Sequence, residues 1–301
     1  MTPPVPIPGG FEKSEMYQVL EEACAIAGFD SADAHLLRGQ TNAVIRLGRV
    51  PVVVKIARKG SRIEDVSRTV QFVRELMSVG FPTVPLLDID QPVVVGQHAA
   101  TFWTYLPQPE RPVDAAQLAK PLYALHTLTP RPLQLPKHDN IRAIRRSLSA
   151  ITSVSASGLR FLQARADCLE EKLREVTFAL PEGVIQGDPQ HRNALHTADG
   201  GAVLCDWDTV TVGQPEWDLV TIEVHCRRFG YGQPHYQAFA DTYGFDIVRW
   251  PGYTTLAAIR ELRMVTTNAR KTGHAPGSLA EVERRIEGLR RNDTTSRWNL
   301  L

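Results

Sequence analysis

The sequence predicts an α+β protein with two lobes, a small β-rich N-terminal lobe over residues 1–107 and a larger, mainly helical C-terminal lobe over residues 108–301. The length of 301 residues is about twice that of a typical domain. Extended runs rich in β-branched residues are concentrated before residue 107, and helical periodicity dominates after it. Between them, the three prolines of the segment 107–112 exclude a regular element and indicate a joint.

The N-terminal lobe is predicted to combine two helices with short strands. Helical spacing of apolar residues predicts one helix over 12–28 and a second over 61–79. The apolar stripe of the second helix is predicted to be Val66, Val70, Val73 and Met77. Alternation predicts a hairpin of 43–47 and 51–57, with Lys55 near the end of its second strand. Two further extended runs follow at 93–96 and 99–106.

The C-terminal lobe is predicted to be helical except for one irregular stretch. The predicted helices are 115–128, 141–150, 159–176, 217–228, 236–243, 253–268 and 279–291. Residues 183–213 interrupt them and contain a strand-like run at 201–205. Because irregular segments held by a rigid scaffold carry function more often than regular elements do, we expect the chemistry to reside there.

Bulk composition excludes several classes of protein. A net charge of +1 and a pI near 7.8 provide no electrostatic field for nucleic acid. Apolar runs stay short of a membrane span, and the first ten residues lack the basic start and apolar core of a signal peptide. We therefore expect a cytoplasmic protein without nucleic-acid or membrane partners, present as a monomer or weak homodimer.

The irregular stretch contains a set of oxygen-bearing side chains suited to magnesium-nucleotide chemistry. Asp188 precedes Asn193 by five residues, and Asp206 directly follows an apolar strand. One carboxylate can accept the proton of an attacking hydroxyl, while an amide oxygen and a second carboxylate can hold hard cations. Taken alone, these residues are equally compatible with turn formation, because Asp-Pro and Asp-Gly are common turn formers.

The N-terminal lobe supplies the complementary elements. The segment Gly39, Gln40, Thr41 and Asn42 lies between two short strands and can present backbone N–H groups to phosphates. Lys55 stands on the following strand, where its ammonium can reach the same phosphates. Neither feature is specific alone. A sequence would rarely contain both of them by chance, in this order, before the carboxylates.

With these motifs in place, the chain from about Leu36 to Leu219 resembles the aminoglycoside phosphotransferase family, small-molecule kinases of protein-kinase-like fold. The family's catalytic loop H-G-D-x-x-x-x-N is matched by the segment 186–193, QGDPQHRN. Its metal-binding strand end is matched by Asp206-Trp207-Asp208, and its P-x-x-D-L brace by the segment 215–219. The loop and the strand end together are the most specific part of the match.

The resemblance implies a role for each matched position. It implies a bilobal protein-kinase-like fold, Mg²⁺ as cofactor, and ATP or GTP as phosphate donor. The roles are Asp188 as catalytic base, Asn193 and Asp206 as metal ligands, Lys55 as the phosphate-contacting lysine, Gly39, Gln40, Thr41 and Asn42 as the nucleotide loop, and Trp103, Tyr105 and Leu106 as the hinge beside the purine. Asp208 is either a second metal contact or a brace of the loop.

Two positions depart from the family pattern. Gln186 stands where the family has a structural histidine, and a glutamine can also donate and accept hydrogen bonds. Thr69 stands where the family has the helix glutamate that pairs with the strand lysine. Helical geometry places Asp65 one turn before Thr69 and on the same side, so we expect Asp65 to pair with Lys55.

The resemblance also implies that the acceptor binds on the helical lobe, in contact with residues that follow the metal-binding strand. The candidate contacts are Glu223, Arg227, Arg228, Tyr231 and Glu261. Polycationic aminoglycosides call for a cluster of carboxylates, whereas this region is mixed or basic. We therefore expect a neutral or weakly charged hydroxylated acceptor, such as an antibiotic or a related natural product.

Two other functions remain open at this point. The first is a metabolic kinase of a small alcohol or sugar, which the sequence does not separate from an antibiotic kinase. The second is a nucleotide-binding pseudokinase, suggested by Thr69 and Gln186. The retention of Lys55, Asp188 and Asn193 disfavours the pseudokinase, because a catalytically inactive protein has no chemical need for all of them.

Overall fold

The chain divides into two units that take their residues from separate stretches of sequence. The computed structural model describes residues 11–39, 42–129, 135–273 and 276–301. The first unit runs up to Pro112 and includes Leu195–Asp208, and the second consists of Val113–Ala194 and Thr209–Leu301. The first boundary falls inside the predicted proline joint, but the inclusion of 195–208 in the first unit differs from the predicted division at 107/108. Short strands and loops return this segment to the first unit, which local periodicity does not reveal.

The secondary structure confirms the predicted α+β class. In chain order the elements are α1 (Lys13–Ala27), β1 (His35–Arg38), β2 (Ala43–Arg46), β3 (Val52–Ile56), α2 (Ile63–Ser78), β4 (Val93–Val95), β5 (His98–Thr104), α3 (Ala115–His126), α4 (Asn140–Leu148), α5 (Ala156–Arg174), β6 (Gly183–Ile185), β7 (Ala194–His196), β8 (Ala202–Leu204), β9 (Thr211–Gly213), α6 (Glu216–Arg228), α7 (Gln233–Tyr243), α8 (Tyr253–Lys271) and α9 (Leu279–Arg290). Within the described residues, no helix is both long and apolar enough to cross a membrane.

An antiparallel sheet in the order β1-β2-β3-β5-β4 forms the framework of the first unit. On β3, Val52, Val54 and Ile56 are buried while the residues between them are half-buried, as the two-residue period of a strand requires. Lys55 pairs with Val44 on one side and Thr101 on the other. Its side chain therefore leaves the sheet on the face opposite the valine core.

Helix α2 buries a different face from the one that the sequence predicts. Its buried residues are Val70, Phe72, Val73 and Leu76, whereas Met77, assigned to the stripe, is 39% exposed. At 100° per residue, this rotates the buried face toward the side of Thr69. The shift follows from Phe72 and Leu76, which bury more apolar area than Val66 and Met77 and so determine the orientation.

Helix α8 is the central helix of the second unit. It packs against α4, α5, α6 and α9, and most of its length is buried. Helix α6 is buried along nearly its whole length, including charged residues such as Glu216 and Asp218. Because a buried carboxylate is costly without partners, these side chains are expected to be hydrogen-bonded. Glu216 accepts from the backbone N–H groups of Ala179 and Leu180 at 2.6 and 2.8 Å.

Trp207 anchors the turn that follows β8. Its side chain is 1% exposed, its indole Nε1 donates to Thr83 Oγ1 at 2.9 Å, and its ring packs edge-on against Phe72 and Phe81. This residue lies between Asp206 and Asp208 in the sequence. The burial of the indole therefore determines the positions from which the Asp206 and Asp208 side chains project.

We expect Trp207→Ala to lower the free energy of unfolding by about 3–5 kcal/mol, because it removes a fully buried indole and leaves a cavity. Urea denaturation followed by circular dichroism measures this change. Ile26→Ala, at a site that is 66% exposed, is the control and should change the free energy by less than about 0.5 kcal/mol. A Trp207→Ala loss as small as that of the control would contradict the anchoring role.

Candidate functional site

Lys55 forms a three-membered ionic cluster in the first unit. Its Nζ lies 2.8 Å from Asp206 Oδ1 and 2.7 Å from Asp208 Oδ1. Burial disfavours the charged form of the lysine, but the two carboxylates outweigh it and hold the pKa of Lys55 above its ordinary value. The cluster thus carries one positive and two negative charges, a net charge that suits a divalent cation.

The turn after β8 presents the two carboxylates. Asp206 adopts the left-handed conformation with φ of 59°, which reverses the chain directly after the strand, and Trp207–Thr209 continues as a 3₁₀ turn. Aspartate is among the non-glycine residues that tolerate this conformation best. The observed strain at Asp206 is typical of a functional position.

The predicted nucleotide loop reaches the same cluster. Asn42 Nδ2 donates to Asp208 Oδ2 at 2.8 Å, which ties the start of β2 to the turn after β8. Gly39 directly follows β1, whereas Gln40 and Thr41 lie outside the described residues. The contact between Asn42 and Asp208 spans 166 positions of the sequence, so no local pattern could have revealed it.

The expected pair of Asp65 and Lys55 is wrong. Asp65 Oδ1 instead accepts from Arg68 Nη1 at 3.0 Å, one turn along α2, and its side chain is 53% exposed. Among the described residues, the carboxylates within ion-pair distance of Lys55 are Asp206 and Asp208. The prediction failed because helical periodicity gives the direction of a side chain around its own helix and not its distance from a residue on another element.

The segment predicted to border the purine is well ordered by contacts within the first unit. Trp103 is 8% exposed, and its Nε1 donates to Thr101 Oγ1 at 2.8 Å. The Tyr105 backbone N–H donates to Pro51 O at 2.8 Å, so this group is not the one left for a purine. The Leu106 carbonyl accepts from Gln108 Nε2 at 3.1 Å. The purine contacts of Trp103, Tyr105 and Leu106 stay predictions.

In the second unit, the loop 186–193 is held together by its own side chains. Gln186 Oε1 accepts from the Asp188 backbone N–H at 2.7 Å, and Asn193 Nδ2 donates to Asp188 O at 2.9 Å. Gln186 therefore performs a bracing function at the position where a histidine was expected. Because Asn193 uses its nitrogen in this bond, its amide oxygen is the atom that can coordinate a cation.

Asp218 braces the loop from the start of α6. Its side chain is fully buried and accepts from the backbone N–H groups of Gln186 at 2.7 Å and Gly187 at 2.9 Å, while His126 Nε2 lies 3.0 Å away. Gly187 has φ of 83°, and a Cβ there would lie 2.4 Å from Thr209 O. Only glycine meets both conditions, so the loop conformation is encoded at this position.

Arg260 contacts the predicted catalytic carboxylate, which the sequence did not indicate. Its Nη2 donates to Asp188 Oδ1 at 2.5 Å, and Gln190 Nε2 donates to Oδ2 at 2.9 Å. Burial alone would raise the pKa of Asp188, but the Arg260 guanidinium outweighs it and lowers the pKa below its ordinary value. Burial and Arg260 also lower the pKa of His225 to about 3, so this ring is neutral.

The five residues predicted to contact the acceptor do not present free charges. Glu223 Oε1 lies 2.9 Å from Arg227 Nε, and Glu261 Oε1 lies 2.9 Å from Arg227 Nη1 and 2.7 Å from Arg228 Nε. Both glutamates are buried, at 3% and 4% exposure. Tyr231 is 37% exposed and stacks on His191 with ring centroids 4.1 Å apart. Acceptor contact by these residues stays a prediction.

Comparison with known proteins supports the resemblance inferred from the motifs. The model of the family described as "Phosphotransferase enzyme family" matches residues 35–259. No curated protein sequence matches the chain.

Solved structures share the protein-kinase-like fold at low sequence identity. The choline kinase LicA from Streptococcus pneumoniae is 15% identical, with 92% of this chain and 99% of that chain covered and a TM-score of 0.69. The amicoumacin kinase hAmiN, in complex with AMP-PNP, Ca²⁺ and Ami, is 13% identical over 94% and 95% of the two chains, with a TM-score of 0.67. The GDP and kanamycin complex of APH(2")-IIia is 13% identical over 92% and 99%, with a TM-score of 0.65. These similarities confirm the predicted fold.

We expect Arg260→Met to destabilise the protein more at neutral than at acidic pH. With Arg260 present, the pKa of Asp188 is lower in the folded than in the unfolded chain. This difference stabilises the folded state at pH values above the unfolded pKa, and the contribution is lost as the pH falls through the folded pKa. Without Arg260, burial of Asp188 is opposed by less positive charge, so the variant gains less stability than the wild type as the pH rises. Near pH 7 we expect a loss of about 2–3 kcal/mol, below the range for fully buried pairs because 28% of the Asp188 side chain is exposed.

Urea denaturation of both proteins from about pH 4 to about pH 7 measures this difference. In the control variant Arg260→Met with Asp188→Asn, the pH dependence caused by Arg260→Met should disappear, because the carboxyl group at position 188 is no longer there to titrate. A destabilisation that is the same at every pH would show that Arg260 acts through packing alone.

Proposed function

Because the chain belongs to the phosphotransferase enzyme family, we propose that it is a magnesium-dependent O-phosphotransferase that transfers the γ-phosphate of ATP or GTP to a hydroxyl group of an antibiotic or related natural product. The observation that carries this proposal is the loop 186–193, in which Gln186 and Asn193 both bond to the backbone of Asp188. Such bracing directs one carboxylate and one amide oxygen out of a rigid loop. Phosphoryl transfer depends mainly on positioning of this kind.

In the proposed reaction, Asp188 orients the acceptor hydroxyl and accepts its proton. The acceptor oxygen forms a bond to the γ-phosphorus while the bond from that phosphorus to the β,γ-bridging oxygen breaks. A carboxylate with a lowered pKa is a weak base, so its larger contribution is orientation of the hydroxyl. Arg260 keeps this carboxylate charged and fixed.

The residues for magnesium fit its coordination chemistry. Asn193 offers an amide oxygen and Asp206 a carboxylate, and both are hard oxygen donors of the kind that Mg²⁺ prefers. The bound ion supplies neutralisation of phosphate charge. Lys55 has three donor hydrogens, and its two carboxylate partners use two of them, which leaves one for a phosphate oxygen.

The charge of the second unit supports a neutral or weakly charged acceptor over a polycation. A polycationic aminoglycoside needs carboxylates to neutralise its ammonium groups. Glu223 and Glu261 are occupied by Arg227 and Arg228. The carboxylate of Asp188 is itself paired with Arg260. These three carboxylates and three guanidinium groups therefore offer no excess of negative charge for a polycation.

A metabolic kinase of a small alcohol or sugar is the second candidate, favoured by similarity in fold to the choline kinase LicA. A pseudokinase is the third, and the intact contacts of Lys55 and Asp188 disfavour it. A nucleotide-consumption screen against hydroxylated antibiotics and metabolites, run with ATP and with GTP, separates the three. Turnover with an antibiotic and not with metabolites supports the first, the reverse supports the second, and binding without turnover supports the third.

Magnesium and ATP or GTP are expected to stabilise the folded chain. Binding to the folded state alone contributes about 2.7 kcal/mol at a hundredfold excess over the dissociation constant. Thermal-shift titrations with each nucleotide, with and without magnesium, measure the effect, and Lys55→Met should reduce it. Absence of any shift with both nucleotides would refute the proposed function.

Substitution of the two aspartates should separate turnover from binding. Asp188→Ala is expected to lower turnover by about 10²–10⁴-fold with nucleotide affinity nearly unchanged, because its carboxylate acts in the transition state. Asp206→Ala should also weaken binding of the magnesium-nucleotide complex. Asp241→Ala, at an exposed aspartate of α7, is the control. Wild-type turnover by Asp188→Ala with any established acceptor would show that the catalytic assignment is wrong.

A further inference from the structure

We propose that Asp208 is the carboxylate that positions Lys55 for the nucleotide phosphates, in place of an acidic residue on α2, and that it is not a metal ligand. This inference rests on the proposed function, because it assigns a role within the nucleotide site. Of the two roles that the sequence leaves open for Asp208, a second metal contact and a brace of the loop, it rejects the first. It also identifies the residue that pairs with Lys55 in place of the glutamate that the family has at the position of Thr69.

Both oxygens of Asp208 are engaged by donors of the chain itself. Oδ1 accepts from Lys55 Nζ at 2.7 Å, and Oδ2 accepts from Asn42 Nδ2 at 2.8 Å. The carboxylate therefore bridges the strand that carries the lysine and the end of the predicted nucleotide loop. A bridging carboxylate with both oxygens in charge-assisted or amide bonds is a fixed structural element.

Lys55 needs such a partner because its surroundings are mostly dry. The side chain is 16% exposed, and an ammonium group in such a place is costly without a counter-charge. A lysine side chain also has several rotatable bonds, so one contact would leave its ammonium poorly oriented. Contacts with both Asp206 and Asp208 remove this freedom.

Helix α2 does not supply the counter-charge. Thr69 donates its hydroxyl to Asp65 O at 3.1 Å, within the helix, and the Asp65 carboxylate pairs with Arg68. Both groups are thus satisfied along α2. The carboxylate that a helix residue would provide comes from the turn after β8 instead.

The turn that carries Asp208 is rigid enough for this role. Its neighbour Trp207 is 1% exposed and bonded to Thr83, which restricts the backbone on the N-terminal side of Asp208. Because Asp206 and Asp208 flank the same buried indole, both can point to one ammonium. In this arrangement Asp206 contacts Lys55 and binds the metal, whereas Asp208 contacts Lys55 and the nucleotide loop.

The test compares Asp206→Asn and Asp208→Asn in the full-length chain by two measurements. The first is the amount of Mn²⁺ bound with saturating nucleotide, from electron paramagnetic resonance. We expect Asp206→Asn to lose most of the bound Mn²⁺ and Asp208→Asn to retain it within about twofold. Loss of Mn²⁺ from Asp208→Asn as large as from Asp206→Asn would overturn the proposal.

The second measurement is magnesium-nucleotide affinity in a double-mutant cycle with Lys55→Met. Asp208→Asn should weaken affinity about tenfold when Lys55 is present and by clearly less in the Lys55→Met background, where only the contact with Asn42 remains to be lost, since coupled residues are non-additive. Equal losses in both backgrounds would overturn the proposal. Asp65→Asn, which removes the same charge from α2, should be silent in both backgrounds, and coupling of Asp65 to Lys55 would also overturn it.

A substitute variant and the binding behaviour of the wild-type chain complete the test. If Asp208→Asn fails to fold, Asn42→Ala takes its place, because it leaves Asp208 intact and removes the partner of Oδ2. It should also weaken magnesium-nucleotide affinity. Unchanged affinity would overturn the proposal. A wild-type chain that binds neither ATP nor GTP refutes the proposed function and this inference together. A wild-type chain that binds nucleotide while the Mn²⁺ or cycle result fails refutes this inference alone.

Discussion

The need to pair buried charge governs the functional parts of this protein. The Lys55 ammonium, largely removed from water, is held between Asp206 and Asp208. A charge in a dry environment is tolerated only with partners, so these carboxylates determine where the lysine points. The burial of Trp207 determines in turn where the carboxylates stand. The direction of one side chain on β3 thus depends on packing more than a hundred residues away in sequence.

The same constraint operates independently in the second unit. Asp188 is half-buried and takes Arg260 as its counter-charge, while Asp218 is fully buried and is satisfied by the backbone N–H groups of Gln186 and Gly187. Because the buried Asp218 carboxylate needs these two N–H groups as partners, it fixes the conformation of the loop that carries them. Because Arg260 lowers the pKa of Asp188, this carboxyl group stays ionised to a lower pH than an ordinary aspartate does.

The pairing of charges also limits what the enzyme can bind. The sequence makes Glu223 and Glu261 candidate acceptor contacts, yet both are neutralised by Arg227 and Arg228. A residue that is already satisfied in a buried ion pair has little to offer a ligand, since binding would first have to break that pair. The charge relevant to a substrate is the charge left after internal pairing.

The sequence by itself determined the α+β class, most helix positions and the motif residues, because these depend on local period, turn chemistry and short spacing. Lys55 on a strand, Asp188 and Asn193 in one loop, and Asp206 at a strand end all follow from such signals. Very short strands such as β6 and β9 escaped, because three residues carry no period. The partner of Lys55 and the pairing of Asp188 with Arg260 were decided by tertiary structure alone. Each joins residues separated by 72 or more positions, and only the packing that brings those segments together selects which charge meets which.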